Sequence, residues 1–118
     1  MLTKDKERQF CKLRDTLEER LENLKALIPK ANGNRKDLEE QTTICEDRLK
    51  KIYNFFISSY LNLAFKKTEH FYKRNSSLID EDSIFSEMLI CLLVTAEKFE
   101  YSKARYSTLA VHSMNRKF

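Results

Sequence analysis

The chain of 118 residues contains one glycine and one proline, too few turn residues for the many corners of a β-protein, so an all-helical fold is predicted. Its 22 basic and 18 acidic residues give a net charge of +4, a mild excess that is not the signature of a dedicated nucleic-acid-binding protein. The length fits a single helical-bundle domain, residues 1–118, with one core.

The first predicted helix covers about residues 3–28. Its apolar side chains recur at spacings of three and four and form one narrow seam: Phe10, Leu13, Leu17, Leu21, Leu24 and Ile28. Nearly everything outside the seam is charged, which indicates a helix that packs through one side only. Pro29 and the Asn-Gly pair at 32–33 predict its end.

The second predicted helix, about residues 37–74, is unusually long. One stripe follows the four-three alternation of a coiled-coil seam: Leu38, Thr42, Cys45, Leu49, Ile52, Phe56, Ser59 and Leu63. Beyond residue 52 a second stripe joins it: Tyr53, Ile57, Tyr60, Leu61 and Ala64. Two stripes indicate a middle helix that contacts two neighbours at once.

The third predicted helix covers about residues 83–114 and begins after the acidic stretch "DEDS", which favours a helix N-terminus. Short connections make successive helices antiparallel, so we predict an antiparallel bundle of three long helices that forms oligomers. A kink in helix two or three is the alternative geometry.

No catalytic, cofactor or metal site is predicted. The three cysteines, Cys11, Cys45 and Cys91, are far apart and include no CxxC pair, which favours reduced core thiols in an intracellular protein, cytoplasmic or nuclear. Gly33 alone cannot form a glycine-rich phosphate loop. The longest nearly apolar run, residues 88–96, is too short to cross a bilayer, and no membrane attachment is expected.

The stretch "RYSTLAVH" places Arg105 and His112 seven residues apart. This spacing resembles the Arg-x(4-6)-His signature of the HEPN ribonucleases, helical domains of similar length, and the resemblance implies RNA cleavage by these two residues. Tyr106, however, stands where that family has a small polar residue. Neither His112 nor His70, the only other histidine, lies in a further supporting motif, so the interpretation we favour is non-enzymatic.

A basic cluster near the end of the second predicted helix gives one hypothesis about function. It consists of Lys66, Lys67, Lys73 and Arg74, which flank an aromatic pair at 71–72. Cations with interleaved rings can bind RNA or DNA, although cations are also favoured at any helix C-terminus by the helix dipole. Nucleic-acid binding by a small basic subunit is therefore the alternative function.

Five large side chains lie outside the stripes of helices two and three. They are Phe55, Phe65, Ile90, Val94 and Tyr101. A contiguous exposed patch of this kind usually marks an interface. We therefore favour a non-enzymatic interaction or assembly module, an adaptor that binds a protein partner or a second copy of itself through these residues.

Overall fold

The computed structural model describes residues 1–75 and 78–117, without the side chain of Asn75. These residues form five α-helices and no strand: α1 (Lys4–Leu27), α2 (Arg35–Ser58), α3 (Leu61–Asn75), α4 (Glu81–Lys98) and α5 (Tyr106–Lys117). A single 3₁₀ turn, Ile28–Lys30, follows α1. The prediction of an all-helical chain is confirmed, whereas the second and third predicted helices are each divided in two.

The helices form an elongated body of 59 × 32 × 19 Å. α1 and α2 make an antiparallel hairpin that reverses in the loop at 31–34, where Gly33 has a φ of 80°. α4 packs against α3, α5 and α2, and the main core lies where these helices meet. The far half of the hairpin has only a small core of its own, Leu17, Leu24 and Cys45.

The main core is aromatic. The rings of Phe10 and Phe56 stack with centroids 3.9 Å apart, and Tyr106 contacts both Phe56 at 4.7 Å and Tyr60 at 4.5 Å. Such ring pairs contribute about 0.5–1.5 kcal/mol each beyond the area they bury. The seam predicted for α1 is buried at Phe10, Leu17 and Leu24, whereas Leu13 is exposed because it lies at the edge of the contact with α2.

The second predicted helix is interrupted between Ser58 and Leu61, without glycine or proline. The Ser58 hydroxyl donates to the Asn54 carbonyl at 2.6 Å, and the Ser59 hydroxyl donates to the Phe55 carbonyl at 3.2 Å. Such back-bonding offers helix carbonyls an alternative partner and bends helices. The backbone tightens here, because the Tyr60 amide donates to the carbonyl of Ile57 at 2.9 Å, three residues back.

The third predicted helix ends at Lys98 and resumes only at Tyr106. Phe99 is fully buried in an extended conformation, with φ −62° and ψ 132°. A side chain of α1 contacts the chain where α4 ends. The guanidinium of Arg14 donates a hydrogen bond to the Ala96 carbonyl at 2.8 Å. The last carbonyls of a helix need partners from outside it, and α1 provides one of them.

Candidate interaction surfaces

α4 carries large apolar side chains on its outer side as well as on its inner side. Between positions 83 and 96, Glu87 is the only charged residue. The inner side is buried in the main core: Ile84, Met88, Cys91, Leu92 and Ala96. On the outer side Ile90, Leu93 and Val94 are exposed. Although α4 packs against α3, α5 and α2, its outer side thus keeps exposed apolar side chains beside Ser86, Glu87 and Glu97.

α3 extends this outer surface through Phe65, which is 55% exposed. The ring of Phe65 stacks on that of Phe85 of α4, with centroids 4.7 Å apart. Phe85, Leu89 and Leu93 follow one another at intervals of four, so they form a row along the helix. We call the surface of Phe65, Phe85, Leu89, Ile90, Leu93 and Val94 the α3–α4 face. Val94 lies at its far edge, where it borders a groove against α5.

Of the five residues expected at a partner surface, Phe65, Ile90 and Val94 lie on the α3–α4 face. Phe55 does not: it belongs to α2, is 69% exposed and lies beside a groove between α1 and α2. Tyr101 lies in the loop between α4 and α5, where the guanidinium of Arg8 sits 5.7 Å from its ring centroid. The five side chains are all exposed, but they occupy three different places.

The basic cluster expected to contact nucleic acid lies on α3. Two of its four cations are engaged within the chain: Lys67 donates to the Asn115 side chain at 2.9 Å, and Lys73 pairs with Glu69 at 3.0 Å. Lys66 and Arg74 are exposed on the same helix. Two of the four cations therefore already have polar partners within the chain.

The structure also shows a polar network that the sequence reading missed. The carboxylate of Glu7, only 1% exposed, accepts hydrogen bonds from the Tyr60 hydroxyl, from Arg105 Nε at 2.9 Å and from the Tyr106 amide at 3.3 Å. Tyr106 is the first residue of α5, so Glu7 of α1 caps the N-terminus of α5. Arg105 also donates to the Leu2 carbonyl at 2.9 Å.

A signal for this network exists in the sequence. Glu7, Cys11 and Arg14 are spaced as i, i+4 and i+7, so they share one side of α1 beside the apolar seam. All three are buried, and the thiol of Cys11 contacts the Phe99 carbonyl at 3.5 Å. Among the described residues, no buried side-chain nitrogen or oxygen lacks a partner. The network is therefore saturated, as expected of a structural element.

Arg105, half of the pair that resembles the HEPN signature, is thus held by Glu7 and Leu2, while His112 is exposed on α5. Burial and the neighbouring Glu7 carboxylate raise the pKa of the Tyr60 hydroxyl well above its usual range. Tyr60 therefore stays protonated at neutral pH and acts as a hydrogen-bond donor to Glu7.

Comparison of the chain with protein-family models, curated proteins and solved structures gives no match.

Residues 1–75 and 78–117 contain no group of three or more metal-ligating side chains. Nor does any helix among them have the length and apolar character needed to span a membrane. The three cysteines are free and buried, and burial raises the pKa of the Cys11 thiol, which lowers its reactivity at neutral pH.

Proposed function

We propose that the chain is a non-enzymatic interaction module that assembles with a protein partner, or with a second copy of itself, through the α3–α4 face. The observation that carries this proposal is the outer side of α4, where Ile90, Leu93 and Val94 are exposed. The three free, buried cysteines support an intracellular location, where thiols remain reduced.

The energetics of burial set a requirement on the partner. Phe65, Ile90 and Val94 are about half exposed, as is Leu93, so burying each of the four contributes about 1 kcal/mol, or about 4 kcal/mol in total. Association costs about 4–15 kcal/mol in lost translational and rotational freedom. A stable complex therefore needs comparable apolar surface from the partner, which a second copy would provide.

The test is a double substitution, Phe65→Glu with Val94→Glu, in the full chain. We expect the variant to lose the association that the wild type shows by sedimentation velocity across a concentration series, and to keep its helical circular dichroism. The matched control is Phe55→Glu with Tyr101→Glu, which adds the same charges to exposed aromatic side chains away from the α3–α4 face. If the first variant assembles like the wild type, the proposal is wrong.

Nucleic-acid binding through α3 remains the second hypothesis, with Lys66 and Arg74 as its exposed cations. The two hypotheses differ in the expected effect of salt on binding. Phosphate contacts weaken steeply between low and moderate ionic strength, whereas apolar assembly does not. Retention on single-stranded RNA and on DNA, measured over a salt series, separates the two hypotheses.

A further inference from the structure

A groove runs along one side of the α1–α2 hairpin, away from the α3–α4 face. Its first part, of about 280 Å³, is lined by apolar side chains that include Leu13, Ile52 and Phe55. Its second part, of about 150 Å³, lies beside Leu17 and Ile44. Phe55, Leu13 and Ile44 are all exposed, so the groove has an open apolar floor.

The two parts lie on the same side of the hairpin. On α2, Ile44, Arg48, Lys51 and Phe55 follow one another at intervals of four, three and four, which keeps them on one helix face. On α1, Lys6, Leu13 and Arg20 recur every seven residues. From Lys6 to Arg20 the groove extends about 21 Å, at 1.5 Å per residue.

The charged side chains that line the groove have one sign. Its charged lining residues are Lys6, Arg20, Arg48 and Lys51, four cations without a carboxylate among them. The whole chain, in contrast, carries 18 acidic residues beside 22 basic ones. A second copy docked by a two-fold axis would place these cations against the same cations, which is unfavourable. The charge therefore selects a partner that is acidic.

The shape of the groove fits a helix. The hairpin has only two helices around Leu17, Leu24 and Cys45, so a third helix laid along the groove would complete a three-helix layer there. We propose that this groove binds an amphipathic helix of another protein, with apolar residues at i, i+3 or i+4, and i+7, and with Asp or Glu on both flanks. This site is independent of the proposed assembly surface, because it uses α1 and α2.

The probe for this proposal is a synthetic, fluorescently labelled helix of about five turns, or about 18 residues, with leucines at the apolar positions and glutamates on the flanks. One control peptide has lysines in place of the glutamates on its flanks, and the other has the same residues in scrambled order. We expect the glutamate-flanked peptide to bind the full chain at least about tenfold more tightly than either control, by fluorescence anisotropy. Its affinity should fall as salt is added.

The variant Arg48→Glu with Lys51→Glu should weaken this binding at least about tenfold. The matched control is Lys36→Glu with Lys50→Glu, which makes the same change of charge on exposed positions of α2 that do not line the groove. The variant Phe65→Glu with Val94→Glu should bind the peptide as the wild type does.

Four results would overturn the proposal. One is equal affinity for the three peptides, and another is equal weakening by the groove variant and its control. The third is self-association of the wild type that only the Arg48→Glu, Lys51→Glu variant abolishes, because a second copy would then occupy the groove. Loss of peptide binding in the Phe65→Glu, Val94→Glu variant would also place the peptide on the α3–α4 face, which refutes the groove but not the proposed function.

Discussion

Replacing Glu7 by alanine is the most informative single perturbation of this fold. The substitution removes the carboxylate that accepts hydrogen bonds from the Tyr60 hydroxyl, the Tyr106 amide and Arg105 Nε. Two of these donors are fully buried, whereas the Arg105 side chain is 41% exposed and can turn to water. The cost therefore comes mainly from the tyrosine hydroxyl and the backbone amide.

Each buried donor left without an acceptor costs about 1–3 kcal/mol, so the two together cost about 2–6 kcal/mol. We expect Glu7→Ala to lower the free energy of unfolding by about 4 kcal/mol, a large part of the 5–15 kcal/mol typical of a native domain. Glu7→Gln keeps one acceptor oxygen and nearly the same volume, so its cost should be smaller, about 2 kcal/mol.

The assay is urea unfolding followed by circular dichroism at neutral pH, with the slope checked for two-state behaviour. The control is Glu18→Ala, which removes a carboxylate that accepts from the Tyr53 hydroxyl at 3.0 Å. Glu18 is exposed, so this hydroxyl can reach water and the cost should stay below about 1 kcal/mol. Equal destabilisation by Glu7→Ala and Glu18→Ala would refute the reasoning from burial.

Three further predictions concern single groups. Tyr106→Phe should lower stability by about 1 kcal/mol in denaturant, because it removes a hydroxyl that donates to the Leu92 carbonyl at 2.5 Å. Burial holds the pKa of Tyr106 far above its usual value near 10, so the stabilisation by this hydroxyl is complete below about pH 10 and is lost progressively as the pH rises from there towards the raised pKa. An alkaline absorbance titration should show this hydroxyl ionising only as the chain unfolds. Asp80→Ala should lower the melting temperature at neutral pH, because the Asp80 carboxylate caps α4 by accepting a hydrogen bond from the Ser83 amide. This hydrogen bond lowers the pKa of Asp80, so the difference in melting temperature from the wild type should shrink as the pH falls below about 4. Cys11, Cys45 and Cys91 should react with a thiol reagent on the order of a thousandfold faster in urea than in the native state, and a rate unchanged by urea would contradict their burial.

The sequence alone was sufficient to predict the fold class and most of the α1–α2 hairpin. The scarcity of glycine and proline predicted helices, and the seam on α1 predicted its contact with α2, where Phe10 stacks on Phe56. Both depend on local composition and periodicity, which a single sequence displays directly. The exposure of Phe55 and Phe65 followed from the same helical periodicity.

The two helix breaks could not be predicted, because one is marked only by serine hydroxyls that bond within their own helix and the other by contacts from elsewhere in the chain. Nothing near Ser59 or Phe99 is a strong helix breaker, and the break at Phe99 is accompanied by contacts from Cys11 and Arg14 of α1. The groove was missed for a similar reason. Its floor combines residues from two antiparallel helices, so neither helix alone shows that the cations around it share one side.

The hydrogen bonds that join the first fourteen residues to the end of α4 and the start of α5 link residues far apart along the chain. Arg14 and Ala96 are separated by 82 residues, Glu7 and Tyr106 by 99, and Leu2 and Arg105 by 103. Closing so long a loop costs more conformational entropy than closing the short loops of the α1–α2 and α3–α4 hairpins. We therefore expect the hairpins to form first during folding and this closure to form late, as the step that commits both terminal segments to the native state.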